Sequence, residues 1–581
     1  MANNFPNLRP TLNLDLVNGI NVDPRITFTR AGTRTYYGQE VVKAEENLFQ
    51  QTGDLSNVYW SKTNVTVASA VGPEGLSNAF LVYPTTTGTF RMVGTTNAGF
   101  LAAVRPLDNT IQIEATAAGK SFIGFTDSNA GQIRANFDVS TGALGTVAAG
   151  YTATITPTSA GFFKCIVSKV GGWGASATPF FTVQDANGST TATTSGTDGI
   201  IVLRPQIENR LFATAYTATT TQPITNYQRQ LKTAAANEWP REFDPVTGEC
   251  LGRSVWESRT NLLLRSEELD NASWAKVAAG DGVIPVVTAN QTIAPDGTLS
   301  ADRVDFVRGT ASAGNSSLIN SNSNTVTAIS YFGTVYIKAA TTADVGKQLN
   351  FRHVSAGAFL VVTLTADWQL VGRVETGLAG SRFMQIGISE TLPQTSVSAF
   401  IWGSQLEAGA FATPYIPTVA SQVTRVADSA VMTGVNFSSW YRQDEGAFFV
   451  DFSMIGINAA AGGSAVYSAS DGTTSNRIRL NYTGSTTLTA DIAVGGTAQV
   501  ALASSIALST YAKHALSYKT NDSASTINGG AVGTDAVCTM PVVSQFQIGL
   551  LVSTGPMNGY IKRLTYYPQA LTAANLQAIT R

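Results

Sequence analysis

The feature that most constrains the fold of this chain is an internal duplication. Residues 261–274, NLLLRSEELDNASW, repeat the spacing of residues 47–60, NLFQQTGDLSNVYW, and each segment runs from an Asn-Leu pair to a tryptophan. These tryptophans, Trp60 and Trp274, hold identical positions in the two segments. Self-similarity at this separation predicts two copies of one folded unit.

A second duplicated landmark closes each copy. A Gln-x-Glu motif ends at Glu208 in the first copy and at Glu407 in the second. Each glutamate is followed at the same offsets by a phenylalanine and then a tyrosine. The tyrosine is Tyr216 in the first copy and Tyr415 in the second. Both ends of the repeated unit are therefore marked in the sequence.

Composition favours short strands over long helices. Only 13% of residues are charged, against about 25% in typical globular proteins, and the chain contains 53 glycines. Runs such as residues 111–115 and 334–338 alternate apolar and polar side chains, which is typical of half-buried strands, and residues 137–146 read as a hairpin. Each copy therefore predicts a jelly-roll β-sandwich.

The remaining segments are too short or too different to be further copies. Residues 24–38 predict one or two strands with a Gly turn, too small for a core, so they must pack on a neighbouring domain, another subunit or a larger assembly. Residues 445–581 predict a second type of β-sandwich with a helix at 571–580 capped by Thr572. The expected organisation is an N-terminal β segment (1–46), module 1 (47–222), a structured connector (223–260), module 2 (261–418), a second connector (419–444) and a C-terminal sandwich (445–581).

Several functional classes lack the features they require. The formal net charge is −2 with no basic block, so we expect no nucleic-acid partner. No apolar run approaches the ~18 residues of a membrane helix, and the N-terminus lacks a signal-peptide pattern, so we expect synthesis in a cytoplasm and no membrane insertion. Cys165, Cys250 and Cys538 are far apart, which predicts neither a disulfide framework nor a metal site.

The module ends resemble those of virion proteins of tailed phages and prophages. Residues 401–418, IWGSQLEAGAFATPYIPT, and 423–428, VTRVAD, are close to the ends common in that group. The first copy departs from the pattern, since residues 203–217 lack the Trp and the Glu-Ala-Gly. The run at 559–580, GYIKRLTYYPQALTAANLQAIT, resembles concanavalin/laminin-G-type sandwiches.

The resemblance implies an all-β appendage with two jelly-roll modules and a concanavalin A/laminin-G-like domain on the virion surface. Its implied partners are other virion proteins and host-surface polysaccharide, with residues 1–46 as the attachment end and the bacterial host cytoplasm as the place of synthesis. Such appendages are often trimers, so a homo-oligomer is expected, although no sustained heptads argue for it.

The sequence contains no recognisable catalytic motif. His353 and His514 lie outside any GxSxG or HExxH pattern, and we expect His514 on a strand surface. Glu208 and Glu407 could be duplicated catalytic acids, but structural ion pairs, for example with Arg204 or Arg210, are the favoured interpretation. Carboxylate separation for glycoside hydrolysis depends on the fold and stays open. We therefore predict no catalytic residue and no enzyme.

Aromatic side chains are the candidates for sugar binding, because their faces stack on pyranose rings. Trp173, in the loop-like GGWGAS, is the best candidate for an exposed aromatic, and Trp402 and Tyr415 either bind sugar or pack the connector. Trp60 and Trp274 are interpreted as core residues, with ligand contact as the alternative. Asp-Gly turns at 281–282 and 296–297 could offer oxygens to Ca²⁺, but Asp-Gly is foremost a turn signal, so no metal or cofactor is predicted.

Three functions remain in competition. The first is a non-enzymatic virion appendage, such as a tail fibre, that binds host-surface carbohydrate. The second is a capsid or tail decoration protein with a mainly structural role. The third is a polysaccharide depolymerase, whose usual parallel β-helix would need short stacked repeats that are absent here.

Overall fold

The computed structural model describes most of the chain and divides it into two compact units. The larger unit comprises Met1–Val41, Arg229–Asn290 and Ala294–Arg581, and the smaller unit comprises Val42–Gln228 and Gln291–Ile293. The described residues are 9–86, 88–89, 92–127, 132–158, 160–173, 178–310, 314–327, 329–353, 358–376, 379–457, 463–552 and 555–581.

In the described part of the first half of the chain, the regular elements are strands and one short helix, α1. Its elements are β1 Leu12–Asp15, β2 Thr27–Thr29, β3 Arg34–Asn47, β4 Ser61–Thr63, β5 Val65–Ala70, β6 Ala79–Pro84, β7 Gly88–Thr89, β8 Met92–Gly94, α1 Ala98–Val104, β9 Asn109–Ala118, β10 Phe122–Thr126, β11 Ile133–Asp138, β12 Ala143–Val147, β13 Tyr151–Pro157, β14 Phe163–Lys169, β15 Phe180–Gln184, β16 Thr191–Ala192, β17 Gly199–Glu208, β18 Ile224–Ala234, β19 Glu242–Phe243, β20 Cys250–Val255 and β21 Arg259–Asn261.

The second half has the same character and ends in a helix. Its elements are β22 Ala275–Ala279, β23 Val283–Ile293, β24 Leu299–Val307, β25 Ser316–Asn320, β26 Asn324–Val326, β27 Tyr331–Ala339, a 3₁₀ turn at Thr342–Asp344, β28 Gln348–Arg352, β29 Leu360–Thr363, β30 Gln369–Glu375, β31 Gly380–Arg382, β32 Gln385–Ser389, β33 Ser396–Ala408, β34 Val423–Arg425, β35 Ser429–Thr433, α2 Val435–Ser438, β36 Glu445–Met454, β37 Ser464–Ser470, β38 Arg477–Tyr482, β39 Thr487–Val494, β40 Thr497–Ser505, β41 Tyr511–Lys519, β42 Ser523–Ile527, β43 Gly533–Asp535, β44 Gln545–Ile548, β45 Gly559–Tyr567 and α3 Ala573–Thr580.

Module 1 is a β-sandwich within the smaller unit. Its two six-stranded sheets have the orders β12-β11-β10-β15-β8-β4 and β13-β14-β9-β17-β6-β5. The predicted hairpin at residues 137–146 is confirmed, because β11 pairs antiparallel with β12. The strand predicted at 111–115 is also present, but it lies in the middle of its sheet and its polar side chains are covered as well: Gln112 donates to the Thr214 carbonyl, and Glu114 faces Arg204.

Module 2 repeats this architecture, and all of it except Gln291–Ile293 belongs to the larger unit. Its two five-stranded sheets have the orders β22-β25-β32-β28-β29 and β23-β24-β33-β27-β30. The all-β sandwich fold predicted from the duplication is therefore confirmed for both copies.

A duplicated asparagine ties the two ends of each module together. Asn47 donates to the carbonyls of Pro205 and Thr217, at 3.1 and 2.8 Å. Asn261 donates in the same way to Ser404 and Ile416, also at 3.1 and 2.8 Å. A buried amide needs both its donors and its acceptor satisfied, so the repeated Asn-Leu landmark fixes the chain entering each module against the chain leaving it.

The C-terminal sandwich recruits strands from distant parts of the chain. One sheet has the order β19-β20-β45-β36-β41-β42-β43 with β1 also on β45, and the other has the order β2-β35-β44-β37-β38-β39-β40. The predicted range 445–581 therefore omits strands that complete both sheets. The N-terminal segment packs on a neighbouring domain, which was one of the three alternatives open from the sequence.

Helix α3 confirms the predicted C-terminal helix. The Thr572 side chain accepts a hydrogen bond from the Asn575 amide, as an N-cap does. Leu576 is buried among residues on the outer face of β41 and β36.

Among the described residues, none of the helices has the length and apolar character needed to cross a membrane.

Candidate functional site

The duplicated tryptophans are core residues. Trp60 and Trp274 are 2% and 0% exposed and lie in the hydrophobic cores of modules 1 and 2. Each indole N–H donates to a carbonyl nine residues earlier, Gln51 for Trp60 and Arg265 for Trp274, both at 2.9 Å. The core interpretation therefore holds, and the ligand-facing alternative does not.

Trp402 and Tyr415 are buried beneath the N-terminal segment and the first connector. Both belong to an aromatic cluster with Tyr336, and Leu231 of β18 packs into the same cluster. The Thr35 hydroxyl of β3 donates to the Tyr415 carbonyl at 2.6 Å. Of the two roles predicted for this pair, the structure shows packing of the connector, and it leaves no open ring face for a sugar.

The predicted exposure of Trp173 is wrong. Its side chain is 5% exposed and packs against Tyr151 with ring centroids 5.7 Å apart. Its backbone N–H donates to the Arg105 carbonyl. Gly171 and Gly172 have φ angles of +74° and +75°, and the missing side chain of Gly172 lets the chain approach that carbonyl closely. The tight double-glycine turn therefore folds the ring inward. The rest of the predicted loop, residues 174–177, lies outside the described residues.

Glu208 and Glu407 hold structural roles. Glu208 forms the predicted ion pair with Arg210, at 3.2 Å, and its carboxylate accepts hydrogen bonds from the backbone and hydroxyl of Thr214. Glu407 accepts the equivalent bonds from Thr413. Burial raises the pKa of Glu208 to about 7, against the opposing effect of Arg210. Both carboxylates are at most 1% exposed, so each fixes the loop that closes its module.

The two histidines are buried, and for His514 the burial contradicts the prediction. His514 was predicted on a strand surface, but it is 1% exposed because it shares the core-facing side of β41 with Leu516 and Tyr518. Burial lowers its pKa to about 3. His353 is 0% exposed, and burial lowers its pKa to about 4. Both imidazoles are therefore neutral near pH 7.

An open cleft of about 460 Å³ lies in the larger unit, where the N-terminal segment meets the first connector. This volume is within the range of about 300–1,000 Å³ typical of small-molecule sites. Five stretches of chain line it, namely the turn before β2, strand β3, the loop before β19, strand β19 and strand β20. The lining residues are Ile20, Asn21, Val22, Tyr36, Gly38, Gln39, Glu40, Asn237, Glu238, Trp239, Pro240, Arg241, Phe243 and Arg253.

Tyr36 supplies a half-buried aromatic ring to this cleft. Because successive strand side chains point to opposite faces, Tyr37 faces the Trp402 cluster while Tyr36 faces the cleft. Asn21 and Gln39 are exposed beside it. An aromatic ring surrounded by amide donors and acceptors is the composition that holds a sugar ring and its hydroxyl groups.

The base of the cleft is built around Trp239. Its indole stacks on Phe28 with centroids 5.2 Å apart and an interplanar angle of 3°. Its N–H donates to the Ser254 carbonyl at 2.7 Å, and the Arg253 guanidinium lies 5.8 Å from its ring centre. These contacts give the cleft a fixed floor.

The sequence interpretation missed the cleft residues, although one signal was present. Residues 24–38 predict strands, and the aromatic pair Tyr36-Tyr37 lies near the end of this run. Adjacent aromatics on one strand cannot share a face, so one of the two had to face away from the core that the other fills. The contribution of the loop at 237–241 depends on long-range pairing and carried no local signal.

No family model and no curated protein matches the chain. Among solved structures, it is similar to the CBM40 module of the Ruminococcus gnavus IT-sialidase, bound to α2,3-sialyllactose, at 16% identity over 25% of this chain and 88% of that chain, with a TM-score of 0.23. It is also similar to the NanB sialidase of Streptococcus pneumoniae at 12% identity over 25% of each chain, with a TM-score of 0.22. TM-scores this low do not indicate a shared function.

Proposed function

We propose that this chain is a non-enzymatic carbohydrate-binding protein of a phage virion appendage, and that the cleft beside Tyr36 holds the sugar. The observation that carries the binding role is the cleft itself, a pocket of small-molecule size with a half-buried tyrosine and exposed amides. The aromatic residues first considered from the sequence are occupied by core packing, which leaves this cleft as the best-supported place for a saccharide.

The virion assignment is supported by the sequence. The module ends at 401–418 and 423–428 resemble those of phage virion proteins, and a host-surface polysaccharide is the ligand such an appendage would meet. Glu208 and Glu407, the two carboxylates considered as catalytic acids, accept hydrogen bonds within their own modules, which supports a non-enzymatic role. The alternative is a decoration protein on the capsid. The location of the protein on the particle distinguishes this alternative from a tail appendage.

The binding role is tested by retention of the full chain on immobilised bacterial surface polysaccharides. We expect wild type to be retained and Tyr36→Ala to lose at least about tenfold in affinity, because stacking and desolvation at an aromatic ring contribute to sugar binding. Tyr227→Ala, at a tyrosine that is 65% exposed and outside the cleft, is the matched control. Equal retention of Tyr36→Ala and wild type would show that the cleft is not the sugar site. Release of reducing ends from the polysaccharide would show that the protein is a depolymerase.

The virion role is tested by immunogold electron microscopy of intact particles with antibodies to the chain. Label confined to a tail fibre or tip is the expected result. Label spread in a regular lattice over the capsid would make the protein a decoration, and unlabelled particles would overturn the virion assignment.

A further inference from the structure

The cleft contains two arginines that form no ion pair with a carboxylate of the described residues. Arg253 is 3% exposed, and its guanidinium donates to the carbonyls of Gly19 and Ile20, at 3.2 and 2.9 Å. Arg241 is half-buried and donates to the Val17 carbonyl at 2.9 Å. Within the described part of the chain, neither guanidinium forms an ion pair.

Arg253 also carries an unsatisfied donor. Its buried Nε–H has no hydrogen-bond partner among the described residues. Burial, and then the neighbouring charge of Arg241, lower the pKa of Arg253 to about 10. The group therefore stays charged near pH 7 in a place where a positive charge is unfavourable, which is the environment that an anion would relieve.

The acidic residues of the cleft do not relieve it. Glu40 forms an ion pair with Lys232 at 2.8 Å, and this bond lowers its pKa. Glu238 is exposed and accepts a hydrogen bond from the Ala235 amide. Charges in water are screened more strongly than buried ones, so these two exposed carboxylates offset the charges of the inner arginines only weakly.

We propose that the cleft selects an acidic saccharide, one that carries a carboxylate such as a uronic acid, with Arg241 and Arg253 binding the carboxylate and Tyr36 packing on the ring. This inference rests on the proposed carbohydrate-binding function and narrows its ligand class. A guanidinium is suited to the task because its planar N–H groups match the two oxygens of a carboxylate.

The experiment compares each retained polysaccharide before and after chemical reduction of its carboxyl groups, which leaves the sugar backbone and removes the charge. We expect reduction to weaken binding to wild type by about tenfold or more. Arg241→Gln should weaken binding to the native polymer and bind both forms alike. Arg563→Gln, at a half-buried arginine of the same sandwich outside the cleft, is the matched control and should behave as wild type.

The outcomes separate the ligand class from the function. Wild type could bind native and reduced polymers equally, while Tyr36→Ala binds neither. This result would overturn the acidic preference and leave the carbohydrate-binding function standing. Binding to no polysaccharide of either kind would overturn both. Because Arg253 also braces the turn at Gly19 and Ile20, Arg253→Lys is the second variant: it keeps a cation but loses the paired N–H groups, and unchanged preference in both arginine variants would contradict the proposal.

Discussion

At the scale of single residues, burial decides the chemistry of His514. The side chain lies inside the C-terminal sandwich, and both ring nitrogens lack a hydrogen-bond partner among the described residues. An imidazolium there would be a buried, unpaired charge, which is why the pKa is lowered to about 3. Since an unfolded histidine titrates near pH 6.5, the folded state binds fewer protons between pH 6.5 and 3.

We therefore expect the free energy of unfolding to fall as the pH falls through this window. At pH 5 the loss from His514 alone should be about 2 kcal/mol relative to pH 8. His514→Leu should remove that part of the loss, and urea denaturation of both proteins at pH 8 and pH 5 measures it. The pH 8 comparison controls for the substitution itself, and an unchanged pH-dependence in His514→Leu would show that the histidine does not titrate as described.

The sequence predicts the local roles of side chains more accurately than it predicts which side chains are exposed. The repeated Trp60 and Trp274 fill equivalent cores, and Glu208 pairs with Arg210 as expected, because each of these roles is fixed inside one module. The exposure of Trp173 could not be predicted, because it depends on a turn that docks on Arg105, far away in sequence.

At the scale of elements, the N-terminal strand β1 belongs to the last domain. It pairs with β45 in the register Leu14↔Leu564, and its side chains Leu12 and Leu14 are 0% and 2% exposed in the core of the C-terminal sandwich. The alternating pattern of strands was readable in the sequence. Their partners were not, because nothing local in β1 distinguishes β45 from other apolar strands.

Leu14→Ala should destabilise the C-terminal sandwich by about 2–5 kcal/mol, because it removes buried methyl groups and leaves a cavity. Hydrogen–deuterium exchange measures the effect where it occurs, as faster exchange in peptides from β36 and β41. Thr27→Ala, at an exposed position of β2, serves as the control and should change stability by no more than about 0.5 kcal/mol. Unchanged exchange in Leu14→Ala would mean that β1 contributes little to the sandwich.

At the scale of the whole molecule, a buried ionic cluster holds the larger unit together. Asp428 of the second connector pairs with Arg30 at 3.3 Å and with Arg34 at 3.6 Å, both from the N-terminal segment. Arg34 also pairs with Glu242 of the first connector at 2.8 Å. These four side chains are at most 7% exposed. Segments interpreted from sequence as a separate end and two connectors are therefore joined at one point.

Asp428→Ala should lower the free energy of unfolding by about 3–5 kcal/mol, because it leaves two buried guanidinium groups without their shared partner. The change is measured by thermal or urea denaturation of the full chain. Asp444→Ala breaks an exposed pair with Arg442 and should have a much smaller effect, because exposed ion pairs contribute little to stability. Similar effects of the two substitutions would contradict a central role for the cluster.

This joining also explains why the cleft could not be predicted. Its walls come from the N-terminal segment and the first connector, which are separated by the whole of module 1 in sequence. The duplication revealed the modules because each closes on itself. The cleft is formed where the first connector packs against the N-terminal segment. That packing is set by tertiary contacts such as those of Arg34 and Asp428.

Binding of carbohydrate in the cleft beside Tyr36 would be visible in a structure of the full chain with a retained oligosaccharide bound. We expect a sugar ring against Tyr36, with its carboxylate directed toward Arg241 and Arg253. An oligosaccharide bound to a sheet face of either module, with the cleft unoccupied in the same complex, would contradict it.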